Sequence, residues 1–187
     1  DVVMQLDQIK IDGNKDAILK WVSKYLDYTT YEISIPALRD ASLAPKNCTG
    51  LVVSVLMDFD FVKQIKEAGF YEEFKAHAQE EIIKVLTNRL YHELGNHILF
   101  GYCSTPLTIE RLSGNLEGAI TGFAFTNASM PSITKNSEIL KTSNTNIPNV
   151  LQAGQWTFSP SGLPISILTG KIAANKAISN AKKRKLK

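Results

Sequence analysis

Residues 149–178 read NVLQAGQWTFSPSGLPISILTGKIAANKAI, and the fold turns on how this stretch is understood. Asn149 to Gly154 form a short apolar run that looks like a buried strand. A loop of Gly, Pro and Ser follows, and Ile165 to Ala177 form a small-residue segment with helical spacing. Ala153-Gly154 ends the strand and lets a neighbour approach the backbone. Ser159-Pro160-Ser161-Gly162 makes a sharp turn, and Pro164 suits a first helical turn, where its missing N–H costs nothing. The remaining first-turn N–H groups point outward with the positive end of the helix dipole, an end that suits an anion or developing negative charge. Gly170, Ala173 and Ala174 would let the helix pack closely on a sheet. Two readings stay open: something large lies against the loop backbone, or this is a tightly packed βα corner.

Working outward, Asn14 is placed to cap a helix running to about Tyr25, with Ala17, Ile18, Trp21, Val22 and Tyr25 on one face. Tyr31 to Ile35 alternates like a strand and is stopped by Pro36; turn signals follow around Asp40 and Pro45. Leu51 to Met57 is β-branched and nearly continuous, the pattern of a strand covered on both faces. Tyr71 to Leu94 is the clearest helix, with Phe74, Ala78, Ile82, Val85, Leu86, Leu90 and Leu94 stepping by three or four and Gly95 at the C-terminal cap position. His97 to Cys103 reads as another strand, Pro106 to Leu112 as a short helix, Ala119 to Phe125 as strand-like, and 127–148 as polar loop. The order predicts an α+β fold with a mainly antiparallel sheet, flanking helices and a separate C-terminal βα unit.

The composition, 44% hydrophobic and 21% charged over 187 residues, is that of an ordinary globular chain with room for one good core or two small ones. The net charge of +3 comes from Lys182, Lys183, Arg184, Lys185 and Lys187; the rest is slightly acidic. A nucleic-acid partner is not expected, because no basic stripe with interleaved aromatics accompanies that tail, which reads as a frayed end. The same basic tail would suit peripheral contact with anionic lipid. The long uncharged run from Thr142 to Gly170 is too polar and too rich in proline to span a membrane. Cys48 and Cys103 form neither a CxxC nor a disulfide framework, which suits a reducing, cytoplasmic setting. The sequons at Asn47 and Asn127 have meaning only in a secreted chain, and there is no signal peptide. The start at Asp1 without Met reads as a processed product or a piece of something longer.

Several chemistries lack their residues. His92 and His97 are five apart, with Gly95 expected to end the helix between them, so they do not make the paired helical ligands of a zinc protease. His77, beside Glu73, Glu80 and Glu81, reads as a solvated helix residue. No G-x-S-x-G, P-loop or G-x-G spacing occurs. Glu110 and Arg111 suit an ion pair or a substrate contact, the ion pair being the simpler reading. Gly114, Gly118 and Gly122, four apart, suit packing or turns.

Three blocks carry a resemblance. The first supplies Ala153-Gly154-Gln155-Trp156-Thr157, Gly162-Leu163-Pro164, Thr169-Gly170, Ala173-Ala174 and Ile178. The second is Ile33 to Asp40 with Ser42 to Pro45; the third is Thr105 to Arg111 with Gly114-Asn115 and Glu117 to Ile120. In their order along the chain the blocks resemble the C-terminal part of phytoene-desaturase-like FAD-dependent oxidoreductases, the group with phytoene dehydrogenases, carotenoid isomerases and retinol saturases. The likeness spans residues 31–178.

The resemblance implies a flavoenzyme acting by hydride or electron transfer on a hydrophobic polyene or isoprenoid-like substrate. It implies that Gly154, Gln155, Trp156, Gly162, Leu163, Pro164 and Ile165 face FAD, the helix start lying near the pyrimidine edge of the flavin. Residues 1–140 would belong to a substrate-binding domain and 141–180 to the strand-loop-helix of an FAD-binding domain, with 181–187 a basic tail. The Rossmann half that holds the ADP part of FAD has no counterpart here, so the chain resembles a C-terminal fragment, inactive alone and without tight FAD binding of its own. No residue stands out as a catalytic acid or base, and no metal is expected. The alternatives are a non-catalytic apolar-ligand or partner-binding module derived from such an enzyme, and amine oxidation, for which Trp156 and Phe158 would supply an aromatic cage.

Overall fold

A computed structural model describes residues 14–122, 135–157 and 162–185. The chain separates into two compact units, Asp1–Thr108 and Ile109–Lys187. This is a division by compactness, drawn on other grounds than the functional one at residues 140 and 141.

The first unit begins with α1 (Lys15–Tyr28), whose N-terminus is capped by Asn14: its side-chain oxygen accepts from the Ala17 N–H at 3.1 Å. β1 (Glu32–Ser34) and β2 (Val52–Ser54) pair antiparallel, with Ile33 opposite Val53. Between them Asp40 caps a 3-10 turn by accepting from Ser42. α2 (Phe59–Glu67) is capped by Asp58, which accepts from the Phe61 N–H at 2.7 Å. α3 (Tyr71–Arg89) and α4 (Pro106–Ser113) follow, and the division between units falls within α4.

The core of this unit forms where three helical stripes meet. Ile18, Trp21, Val22 and Leu26 come from α1, Phe61, Val62 and Ile65 from α2, and Phe74 and Ala78 from α3. Trp21 stacks on Tyr25 and meets Phe61 edge-on, both at 5.2 Å between ring centroids, and Phe61 meets Phe74 edge-on at 6.3 Å. Ala17, expected on the apolar face, is exposed, and Leu26 takes the fourth buried place on α1.

The second unit contains a short α5 (Asn136–Ile139) and a long α6 (Leu163–Lys185). Mixed helix with a small antiparallel sheet is an α+β fold in the general sense. Among the described residues the sheet has two strands, and the expected strands are shorter or absent. The 51–57 run pairs only over Val52–Ser54, with Val52 and Leu56 exposed, so it is not covered on both faces. His97–Cys103 is irregular: the His97 N–H turns back to the Leu94 carbonyl at 3.0 Å, and the backbone of 98–103 pairs with no other backbone group among the described residues. In 149–154 one isolated bridge joins Leu151 to Asn144; Asn149 with φ +67° and Gly154 with φ +104° bend the chain out of a strand at both ends. Residues 119–122 are not strand, and 123–125 lie outside the described residues, as do 127–134.

Helix boundaries also move. α3 ends at Arg89 rather than Leu94, because the Leu90 and Tyr91 N–H groups both turn back to the Leu86 carbonyl. Gly95 lies in a 3-10 turn, Leu94–Asn96, and caps nothing. α6 runs to Lys185 instead of stopping at Ala177, so the basic residues to 185 are helical rather than frayed; cations there complement the negative end of the helix dipole. α2 has no counterpart among the expected elements, although Asp58 followed by Phe61, Val62 and Ile65 carries a cap and an apolar stripe.

Candidate functional site

The residues singled out around the opening stretch all fall in the second unit, and the structure brings their two halves together through one side chain. Thr169, on α6, is fully buried. Its Oγ1 accepts from the Gly154 N–H at 3.0 Å and donates toward the Ile165 carbonyl at 2.8 Å, with the Ser166 carbonyl at 3.1 Å. The Gly154 turn is thereby latched to the first two turns of α6. The turn is closed locally by Thr157, also buried, whose hydroxyl and N–H both donate to the Gly154 carbonyl at 2.7 and 3.2 Å.

Gly154 takes φ +104°, a conformation only glycine adopts without strain, and a Cβ there would meet nothing within 4 Å. The glycine therefore serves the turn; no described residue occupies the place where its Cβ would be. Gln155 and Trp156 are half-buried in the same turn. Gly162, with φ +139°, starts α6, and its carbonyl accepts from both the N–H and the hydroxyl of Ser166 at 2.9 and 3.0 Å. Leu163 and Pro164 are exposed and Ile165 half-buried. Pro164 lacks an N–H, so the helix start presents those of Leu163 and Ile165. Phe158 and the Ser159-Pro160-Ser161 turn lie outside the described residues.

Behind this turn, residues 140–152 run along one stripe of α6. Buried Ser143 donates from Oγ to the Thr169 carbonyl at 3.4 Å, and its own carbonyl accepts from the Gln152 N–H at 2.9 Å. Lys176 donates to the Leu140 carbonyl and to Asn144 Oδ1. The contacts at Ile165, Thr169, Ile172 and Lys176 step by three or four, so one helical face is held. Gly170 has no atom within 4 Å of an added Cβ, and Ala174 is exposed. The expected close packing of Gly170, Ala173 and Ala174 on a sheet is thus not made among the described residues. Thr169 and Ser143 are the organising residues that motif reading passes over; the Thr169-Gly170 pair was visible, its latch role was not.

The other candidates resolve into structural roles. Glu110 accepts from the Glu117 N–H at 3.1 Å and so braces a left-handed turn at Glu117 (φ +54°) and Gly118 (φ +63°); neither it nor Arg111 makes an ion pair among the described residues. Gly114 and Gly122 also take positive φ, as turn positions do. Thr105 is buried, bonds Tyr71 Oη at 2.7 Å and accepts from the Thr108 N–H at 3.4 Å, capping α4.

His77 is not a solvated residue: its Nε2 lies 2.8 Å from Ser23 Oγ and 3.0 Å from the Leu19 carbonyl, bridging α3 to α1. His92 and His97 each bond a backbone carbonyl through Nδ1, and no cluster able to hold a metal occurs among the described residues. A shallow cleft of about 340 Å³ between α1 and α3 is lined by charged groups, including the Arg89–Asp27 and Lys84–Glu81 pairs, and is no apolar pocket.

Burial pushes the Cys103 thiol up, against the opposing pull of Lys75, so this thiol is not activated. Cys48 is exposed, and both cysteines are free. Among the described residues no helix is long and apolar enough to cross a membrane. No protein-family model matches the chain, and no curated protein matches it.

Proposed function

We propose that the chain is the C-terminal part of an FAD-dependent oxidoreductase resembling phytoene dehydrogenases, acting on a hydrophobic, polyene or isoprenoid-like substrate. What supports the reading is the latch at Thr169, which sets the open Gly154 turn beside the start of α6. The local residues fit a flavin edge: the backbone at Gly154 is open to approach, and Leu163 and Ile165 offer N–H groups at the positive end of a helix without an acidic residue. Gly154, Gln155, Trp156, Gly162, Leu163, Pro164 and Ile165 would hold that edge. The flavin, when bound, supplies the hydride and electron chemistry. The chain's own part is to orient the ring system and favour negative charge at the helix start. In this reading the residues up to 140 belong to a substrate-binding domain built on a larger antiparallel sheet, 141–180 complete an FAD-binding domain, and a Rossmann region supplied by further polypeptide holds the ADP moiety. Free cysteines suit a cytoplasmic setting, with peripheral membrane contact fitting a lipid-like substrate.

The test is the visible absorption spectrum of the native-length protein purified from its source. A flavin spectrum travelling with the protein is expected, and the isolated 187-residue chain should bind FAD more weakly than micromolar. A colourless native-length protein that stays colourless with added FAD would sink the oxidoreductase reading. It would leave the second one, a non-catalytic apolar-ligand or partner-binding module, which is favoured by the many exposed apolar side chains, Leu99, Phe100 and Leu163 among them.

A further inference from the structure

The Gly154 carbonyl accepts twice from Thr157, from its hydroxyl at 2.7 Å and its N–H at 3.2 Å. The Gly162 carbonyl accepts twice from Ser166, from its N–H at 2.9 Å and its hydroxyl at 3.0 Å. Each of these carbonyls shares a peptide group with the N–H of the next residue, Gln155 in one case and Leu163 in the other. Neither N–H has a hydrogen-bond partner among the described residues. A carbonyl that accepts two bonds polarises the N–H across its own peptide, and a trans peptide aims that N–H away from the groups holding the carbonyl. The turn and the helix start therefore each offer one strengthened, free donor. Thr169 joins them. Its Oγ1 accepts from the Gly154 N–H at 3.0 Å and donates to the Ile165 carbonyl at 2.8 Å. The Ile165 carbonyl shares a peptide with the Ser166 N–H, which donates to Gly162. One chain of hydrogen bonds thus runs from the Gly154 turn, through the Thr169 hydroxyl, to the peptide that carries the Leu163 N–H. Thr169 is fully buried, so water does not compete for its hydroxyl.

We propose that Thr169 is a positioning residue that raises the reduction potential of the flavin, by holding the Gln155 and Leu163 donors as a single array. The inference rests on the flavin reading above. The oxidised ring system is neutral, whereas the reduced one carries negative charge at its pyrimidine edge, so donors fixed there stabilise the reduced form more than the oxidised one. Without the Thr169 hydroxyl, the turn keeps its bonds from Thr157 and the helix start keeps its bonds from Ser166, but nothing in this chain of hydrogen bonds ties one to the other. The two donors then lose their common orientation, and the preference for the reduced form falls. A hydroxyl that only braced the fold would change stability and leave the balance between the two flavin forms where it was.

The test is the midpoint potential of FAD in the native-length protein, measured for the parent and three variants. Thr169→Val should lower it by about 30 mV or more, which is a tenfold loss of preference for reduced over oxidised FAD in a two-electron couple. Thr169→Ser keeps the hydroxyl and should keep the parental potential. Ser143→Ala loosens the same face of α6, by removing the bond to the Thr169 carbonyl, and should keep the parental potential too. Where Thr169→Val holds FAD too weakly for a direct reading, anaerobic titration with oxidised and with reduced FAD gives the same quantity as the ratio of two dissociation constants. A parental potential in Thr169→Val overturns the proposal, as does an equal fall in Ser143→Ala or in Thr169→Ser. A native-length protein without flavin fails the oxidoreductase reading itself; a flavoprotein whose potential ignores Thr169 fails this inference alone.

Discussion

The three helices of the first unit and the turn-and-helix of the second use their apolar residues in opposite ways. In α1, α2 and α3 the stripes point at one another, and Phe74, Ile18, Leu26, Ile65, Val22 and Val62 are wholly or almost wholly buried. Among the described residues around α6 the fully buried side chains are Ser143 and Thr169, both hydroxyls, with Ile172 buried beside them, while Leu163, Ile167 and Ile178 on the same helix are exposed. One region is held by area removed from water, the other by a short chain of hydrogen bonds. Burial is cumulative and cooperative, whereas a single hydrogen bond contributes about 0.5–1.5 kcal/mol net. The first region should therefore be the stable one, and the second the one whose geometry is easily changed.

Phe74→Ala probes the first half of the comparison and has the largest expected effect. It removes a ring packed edge-on to Phe61 and should cost about 3–5 kcal/mol, read as a fall in the urea midpoint of the helical signal and faster amide exchange in α1–α3. Thr169→Val probes the second half. It keeps shape while leaving the Gly154 N–H without its acceptor, at a cost of about 1–2 kcal/mol. Exchange should quicken at residues 152–157 and in the first turns of α6, and Thr169→Ser should restore it. A Thr169→Val cost equal to that of Phe74→Ala would break the comparison, since it would mean that the latch supports a core of its own. Asp58→Ala is smaller still: loss of the cap on α2 should cost about 1 kcal/mol, read as a modest midpoint shift, with Asp58→Asn retaining most of the stability.

The same contrast explains what could be read from residues alone. α1, with Asn14 before a 3.6-residue stripe, and α3, with Phe74, Ala78, Val85 and Leu86 in step, are legible because cap and periodicity are local and the partner lies in the same unit. α2 was equally encoded in Asp58, Phe61, Val62 and Ile65, but its nine residues carry few repeats of the period. His97–Cys103 and Asn149–Gly154 mislead for one physical reason. Apolar, β-prone side chains state what a strand would bury and say nothing about whether a neighbour is there to pair with it. In the candidate site Gly154, Gly162 and Pro164 were readable as turn and helix-start chemistry. Thr169 and Ser143 were not, because a hydroxyl in a helix or a loop has no pattern until its partners, Gly154 and Gln152, come near in space.

The smallest expected effect sharpens the comparison from the first region's edge, where burial meets charge. Tyr31 donates its hydroxyl to the Leu26 carbonyl at 2.6 Å, at the C-terminal end of the α1 stripe. Burial pushes its pKa from 10.0 up to about 12, opposed by the nearby Arg89 guanidinium. The folded state thus holds the phenol proton more tightly than the unfolded state does. Below pH 10 both states are protonated and the full contribution is present. As pH rises from 10 toward 12 the unfolded chain releases its proton first, so stability falls across that window. The ring is only half-buried, and solvent screening keeps the effect below that of the α2 cap. The urea midpoint should accordingly drop between pH 10 and about 12, and Tyr31→Phe should remove the phenol's share of that slope. An identical slope in Tyr31→Phe would assign the alkaline loss to other groups, and would mean that burial at the end of α1 is too shallow to hold a proton.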